Sequence, residues 1–453
     1  MNAGTPERSV LDTAVPGRGD ERRSSNNRAL VLHPDLRDSS TNRRSAEARL
    51  EEAVGLAQAI DLDVVQSDVV RVARPNPGAL FGRGTVERYR AVVETEDIGL
   101  AIVDSDLSPV QQRNLERSWS CKVIDRTGLI LEIFGARART KEGKLQVELA
   151  ALSYQRSRLV RSWTHLERQR GGYGFMGGPG ERQIEMDRRM IDDRIARLRE
   201  DLEQVKRTRE QHRKQRRRVP YPVVALVGYT NAGKSTLFNR MTRAHVMEHD
   251  MLFATLDPTM RRLRLPDGQD AILSDTVGFI SDLPTQLVAA FRATLEEVLE
   301  ADVIVHVRDI SHPDTEAQRE DVELVLRELG LEKAVDEGMV EALNKIDRLP
   351  EQELDVLREQ AARDANAVLV SAATGAGCDE LVRVVERRLR SGYRCVDVHV
   401  PLHAGAALAW LYDRGHVMDR HDDEEYAHLR VNLDPADVDR FRHRHGGEVR
   451  VES

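Results

Sequence analysis

The sequence predicts an α/β protein with three sheet-bearing domains and an antiparallel helical hairpin projecting between the first and the second. Three observations predict it. Short apolar runs alternate with helical patterns over residues 28–143 and again over 219–391, as in parallel sheets with crossover helices. Between them, over 144–218, apolar residues recur with the period of a helix–helix seam. A glycine-rich phosphate-loop pattern follows the first strand of the second stretch. A chain of 453 residues has room for about three domains.

The first stretch opens with "ALVLH" (29–33) as a strand and "SAEARLEEAVGLAQAI" (45–60) as a helix. "VVRVAR" (69–74), "LAIVDS" (100–105) and "CKVIDR" (121–126) are further strands. In the hairpin, Leu145, Leu149, Leu152, Leu159, Trp163 and Leu166 form one seam. Ile184, Ile191, Ile195, Leu198, Leu202 and Val205 form the returning one. An arm of about 24 residues would project about 36 Å at 1.5 Å per residue. The next domain starts at "VPYPVVALVGY" (219–229), and "AILSD", "VIVHVRD", "VEALNK" and "AVLVSA" supply its other strands. Residues 392–453, with "RCVDVHVP", an Ala-rich helix and "AHLRVNL", form a small α/β appendage. Residues 1–27 are polar, lack an apolar signal-peptide core, and read as a disordered tail.

Composition narrows the function. The chain is 40% hydrophobic and 32% charged, so buried cores lie under a strongly ionic surface. The net charge of −8 is unevenly spread. Residues 135–218 hold 23 Lys or Arg against 12 Asp or Glu, which makes this segment +11 and the remainder −19. A basic segment in an acidic chain points to a polyanionic partner, most simply nucleic acid. Cys121, Cys378 and Cys395 form no C-x-x-C pair. They support neither a disulfide framework nor a zinc site, and they suit a reducing cytosol. No apolar run reaches the 18 residues of a membrane span.

The strongest chemical signal is "GYTNAGKS". Gly228, Tyr229, Thr230, Asn231, Ala232, Gly233, Lys234, Ser235 and the following Thr236 form a phosphate loop between a strand and a helix. Its backbone amides cradle phosphates, Lys234 reaches the β- and γ-phosphates, and the Ser235 hydroxyl ligates Mg²⁺. "DTVG" (275–278) follows. Asp275 would hold the Mg²⁺ shell, and the Gly278 amide would meet the γ-phosphate. "NKID" (344–347) supplies base selection. The Asp347 carboxylate accepts from guanine N1–H and N2–H₂, a donor pair adenine lacks. Asn344 would brace the loops, and the Lys345 stem would lie over the base. In "SAATG" (371–375), Ser371, Ala372 and Ala373 complete the base site, with the Ala372 amide aimed at guanine O6. In series, these elements specify a P-loop GTPase domain using GTP, GDP and Mg²⁺.

A Mg²⁺-ligating threonine belongs in "FATLDPT" (253–259), where Thr255 and Thr259 are both candidates. Phe279 stands after Gly278, where many GTPases place a water-orienting glutamine. An apolar ring cannot orient water, so intrinsic hydrolysis is expected to be slow and partner-stimulated. Asn231 occupies the position of the asparagine in potassium-activated GTPases, and bound K⁺ would add positive charge there.

"RQRGGYGFMGGPGERQ" (168–183) matches the dinucleotide fingerprint at Gly172, Gly174 and Gly177 but lies between helices, not after a strand. It reads instead as an RNA-probing tip. Tyr173 and Phe175 would stack on unpaired bases, while Arg168, Arg170 and Arg182 would meet phosphates.

With "LSPVQQRNLE" (107–116), "DRTGLILEIFGARARTKEGKLQVELAAL" (125–152) and "GGPGERQIEMDRR" (177–189), the chain resembles the HflX family of the Obg–HflX GTPases over residues 28–391. The family pattern reads G-P-G-E-T-Q-L-E where this chain carries Arg182 and Ile184. Through "ATL", the resemblance favours Thr255 as the switch threonine, with Lys234, Thr255 and Gly278 as the catalytic set. The fold it implies is an N-terminal parallel α/β domain with a projecting antiparallel helical hairpin, a P-loop GTPase domain and a small C-terminal α/β domain. The function it implies is docking on the large ribosomal subunit and splitting of stalled ribosomes under stress. The hairpin tip would then lie on rRNA near the peptidyl-transferase centre. The expected protein is a monomer off the ribosome, in the cytoplasm, free or peripheral at the membrane. A ribosome-assembly GTPase and an ATP-driven RNA remodeller are the alternatives, and "NKID" argues against the latter.

Overall fold

The computed structural model describes residues 27–36, 44–169, 179–216, 221–242, 253, 259–281, 295–391, 394–433, 435–446 and 449–452. Of the tail read over residues 1–27, residues 1–26 lie outside them.

The first domain runs β1 (Arg28–Leu36), α1 (Ala46–Gln58), β2 (Asp63–Val72), α2 (Arg83–Thr95), β3 (Leu100–Val103), α3 (Pro109–Trp119), β4 (Lys122–Asp125) and α4 (Arg126–Arg137). Its sheet has the order β2-β1-β3-β4 and is parallel throughout. Strand β3 is buried at every position, as a central parallel strand covered on both faces must be. Local chemistry starts the helices. Ser45 accepts the Ala48 amide at 3.1 Å to cap α1, and Ser108 forms a capping box with Gln111 behind Pro109 in α3. Asp125 caps α4 through the Gly128 amide at 2.8 Å. Strand β2 begins six residues earlier than the apolar run "VVRVAR". Gln66, Ser67 and Asp68 interrupt its hydrophobic pattern because it is an edge strand.

The hairpin consists of α5 (Lys141–Gln169) and α6 (Pro179–Arg216). Arg194 pairs with Glu148 at 2.7 Å and Arg156 with Asp192 at 3.0 Å, so the helices run antiparallel. The predicted seam holds at Ile195 and Leu198, which are buried. Among the described side chains of α5, which exclude Leu159, Trp163 and Leu166, the most buried apolar ones are instead Val147, Ala150 and Ala151, packed in one cluster with Ile130 and Phe134 of α4. Small residues there let α5 lie close against the first domain. Leu145, Leu149 and Leu152 are half-buried.

The second domain comprises β5 (Val223–Val227), α7 (Lys234–Thr242), β6 (Thr259–Arg264), β7 (Asp270–Asp275), α8 (Glu296–Leu299), β8 (Val303–Asp309), α9 (Thr315–Glu328), α10 (Glu332–Asp336), β9 (Val340–Asn344), α11 (Glu351–Ala361), β10 (Ala367–Leu369) and α12 (Cys378–Arg390). Its sheet order is β10-β9-β8-β5-β7-β6, with only β6 antiparallel. Central β5 therefore delivers the phosphate loop to the carboxyl edge of the sheet. The third domain is an antiparallel sheet, β12-β13-β11-β14, built from β11 (Arg394–Pro401), β12 (His416–Asp422), β13 (Tyr426–Leu433) and β14 (Arg450–Glu452), with α13 (Gly405–Arg414) and α14 (Pro435–His445).

The first two domains share a core. Leu56, Ile130 and Phe134 from the first cluster with Tyr229, Phe253, Phe279 and Ile304 from the second. The Phe134 and Phe253 rings meet edge to face at 4.7 Å.

Candidate functional site

The phosphate loop is a strained turn between β5 and α7. Gly233 has φ +92°, and a Cβ there would stand 2.3 Å from Asn344 Nδ2, so only glycine fits. Asn231 is exposed and left-handed, at φ +60°. Lys234 is buried, and its ammonium donates to the carbonyls of Gly228 at 3.1 Å and Tyr229 at 2.8 Å. Burial lowers its pKa to about 8, against the opposing pull of Asp275. Ser235 Oγ donates to Asp275 Oδ2 at 2.8 Å. Thr230 Oγ1 is buried with no hydrogen-bond partner among the described residues. The converging Ser235 and Asp275 oxygens are the donor chemistry a hard cation such as Mg²⁺ takes.

The segment after β7 is joined to this loop. The Thr230 amide donates to Phe279 O at 2.7 Å, and the Phe279 amide donates to Gly228 O at 3.1 Å. This isolated β-bridge brings Gly278 so close that a Cβ on it would lie 3.1 Å from Lys234 Nζ. The Phe279 side chain is buried in the shared core, which explains an apolar residue at this position.

The base side forms around Asn344, which is buried. Its Nδ2 donates to Ala232 O at 2.8 Å, and its Oδ1 accepts the Ala372 amide at 2.9 Å. One side chain thus ties the phosphate loop to "SAATG". The Ala372 amide is already engaged by Asn344, so a bond from it to guanine O6 would have to share that hydrogen. Ser371 Oγ donates to Asp347 Oδ1 at 2.5 Å and orients that carboxylate. Lys345 adopts φ +67°, and its ammonium pairs with Asp309 Oδ2 at 2.7 Å. Arg240 of α7 donates to the carbonyls of Ala372 and Ala373.

Asp309 and Arg240 were not singled out by sequence, and neither was a buried polar cluster between the first two domains. Glu52 of α1 accepts from Arg44 at 2.5 Å, from Arg126, from Ser281 Oγ at 3.2 Å and from the Tyr229 hydroxyl. Arg126 also pairs with Asp104 at 2.6 Å and donates to Ser281 O at 3.0 Å. Arg44 reaches Asp314 at 3.0 Å. Burial alone would raise the Glu52 carboxyl, but Arg126 and Arg44 outweigh it and hold its pKa below the ordinary value. Burial and the Glu52 charge raise the Tyr229 phenol, which stays a neutral donor.

Thr255 lies outside the described residues, and so do Arg170, Tyr173, Phe175 and the three fingerprint glycines. The side chains of Arg168 and Arg182 are outside them too. Thr259 is the first residue of β6, in register with Asp275.

Four family models cover most of the chain. They are the GTP-binding GTPase N-terminal model over residues 47–135, the GTP-binding GTPase middle region over 137–216, the 50S ribosome-binding GTPase over 223–345 and the HflX C-terminal domain over 356–452. The GTPase HflX of Magnetococcus marinus is 47% identical over 432 residues, which is 95% of this chain and 97% of that protein. The chain belongs to the HflX family of GTPases. The HflX of Escherichia coli is 46% identical over 363 residues, 80% of this chain and 84% of its own. A GTP-binding protein of Sulfolobus solfataricus, crystallised with GDP, is similar at 23% identity with a TM-score of 0.43, covering 80% of this chain and 99% of that one. Membership in the HflX family makes this chain a GTPase of the ribosome-binding type, and its phosphate loop and "DTVG" lie within the 50S ribosome-binding GTPase match, which ends at Lys345 inside "NKID". Among the described residues no helix is long and apolar enough to cross a membrane.

Proposed function

We propose that this HflX-family chain is a GTP-driven switch that binds the large ribosomal subunit through rRNA and dissociates stalled or idle ribosomes under stress. It acts in the cytoplasm, as a monomer off the ribosome. The observation that carries the reading is the β-bridge between Tyr229 and Phe279. It holds Gly278 against Thr230 and Lys234 of the phosphate loop, which supports a role for the Gly278 amide at the γ-phosphate, where a triphosphate and a diphosphate differ. GTP would reorder this segment and Thr255, and hydrolysis would release it.

Lys234 would neutralise the β- and γ-phosphates, and Asp347, braced by Ser371, would accept from the guanine edge. Ser235 and Asp275 would hold Mg²⁺, which when bound neutralises charge on the phosphates. Exposed Asn231 would favour K⁺ at the lip of the loop. The basic hairpin supplies salt-dependent phosphate contacts, and its tip, with Arg168, Arg170, Tyr173, Phe175 and Arg182, reaches rRNA near the peptidyl-transferase centre.

The test measures GTP hydrolysis with and without large subunits, and the sedimentation of intact ribosomes with a non-hydrolysable GTP analogue. Stimulated turnover with a shift to free subunits is expected. Binding to assembly precursors without splitting would replace this reading with an assembly role.

A further inference from the structure

A second basic surface lies away from the hairpin. An open groove of about 830 Å³ runs between edge strand β6, the end of α7 and the start of α12. Arg240, Arg261, Arg262, Arg264 and Arg383 line it, against one lining carboxylate, Asp379. Arg262 and Arg264 are 73% and 69% exposed and among the described residues share only Asp270, each at 3.4 Å. Such exposed, long pairs contribute little and break readily. Arg383 is 59% exposed beside Glu380. Arg261 donates to its neighbour's carbonyl and meets no carboxylate among the described residues. Leu263 and Leu265, on the side of the strand opposite Arg262 and Arg264, are buried, so the strand is anchored while its arginines are exposed.

We propose that this groove is an RNA-backbone site on the GTPase domain, contacting rRNA phosphates when the chain is on the large subunit. This rests on the ribosome-binding reading above. The charge and the strand together select the occupant. Alternate residues of a strand lie about 6.7 Å apart on one side, so Arg262 and Arg264 form a cationic pair on one side of β6 while Arg261 stands on the other with Leu263, and the three border the groove from both sides of the edge strand. Guanidinium groups take phosphate oxygens in bidentate fashion. A peptide strand is disfavoured, because arginines crowded along an edge oppose strand addition. Arg240 connects the groove to the base site, since it holds the carbonyls of Ala372 and Ala373. It is therefore left intact in the test.

The full-length chain with a GTP analogue is titrated with purified large subunits, and separately with poly(U), from about 0.05 to 0.2 M salt. The variant R261A/R262A/R264A should bind more weakly at low salt. Its log-affinity against log-salt slope should be shallower by about 2, near 0.7–0.9 per lost phosphate contact. R261K/R262K/R264K should keep most of the wild-type slope, and GDP affinity and Tm should match wild type in both variants. An alanine variant with wild-type slope and affinity overturns the proposal. So does polyglutamate competing as well as poly(U), which would mark the groove as a protein site. If the wild-type chain binds poly(U) through these arginines but not large subunits, the groove stands as an RNA site and the ribosome reading fails.

Discussion

The Tyr229 hydroxyl, on the phosphate loop, donates to the Glu52 carboxylate of the first domain while accepting the Ser281 amide at 2.8 Å. One phenol thus links the nucleotide site, the segment after "DTVG" and a helix of another domain. Glu52 and Arg126 enclose the same junction, with side chains 6% and 5% exposed.

Glu52→Ala should be costly. It removes the shared counter-charge of Arg44 and Arg126 inside the interface, and breaking a buried pair in this way costs about 3–5 kcal/mol. Arg44 keeps Asp314 and Arg126 keeps Asp104, so the lower end of that range is expected. Denaturant unfolding with a wild-type m-value would measure it. A loss below about 1 kcal/mol would show that the cluster does not hold the domains.

Acid should loosen the same interface. Burial would raise Asp104, but Arg126 and His33 prevail and hold its pKa at about 2 from an ordinary 3.8. Glu52 is shifted the same way. Their contribution is complete above the unfolded-state pKa and is lost as pH falls through the folded-state value, so the Asp104 window runs from about 4 down to about 2. Asp104→Asn should be less stable at neutral pH and show a flatter stability profile across that window.

Asn344→Ala should separate the two halves of the nucleotide site. Two buried hydrogen bonds disappear, leaving Ala232 O and the Ala372 amide unsatisfied. Guanine-nucleotide affinity should fall about 10- to 100-fold, from roughly 1–3 kcal/mol. Fluorescent-GDP titration reads this directly, and an affinity within about twofold of wild type would contradict it.

Gly278→Ala tests the β-bridge. The added Cβ would meet Thr230 Cγ2 at 2.8 Å and Thr230 Cα at 2.9 Å, so the segment must move. GDP binding should persist, because the diphosphate does not need this amide. Ribosome-stimulated hydrolysis should drop about 100-fold, as when one transition-state donor is lost. Unchanged turnover would remove Gly278 from the catalytic set.

What could be read in the sequence divides on physical lines. The phosphate loop, "DTVG" and "NKID" were legible because backbone shape and base chemistry confine each to few residues. Gly233 faces Asn344 at a distance that admits no side chain. Buried strands such as β3 announced themselves as apolar runs. Strand β6 did not, because "TMRRLR" carries arginines on an exposed edge. The Glu52 cluster was invisible for another reason. Its members at 44, 52, 126, 229 and 281 are scattered along the chain, and a charged residue in "EARLEEAV" has no local mark of burial. Only the folded interface brings them together.

Helix α5 spans 29 residues, or about 44 Å, and it is rooted on the domain that grips Tyr229 and Phe279. That geometry is a lever. A turn of about 5° at the interface would carry the far end of α5 through about 4 Å, more than the width of a hydrogen bond. Any small rotation about the Glu52 cluster would therefore be magnified at the far end of α5.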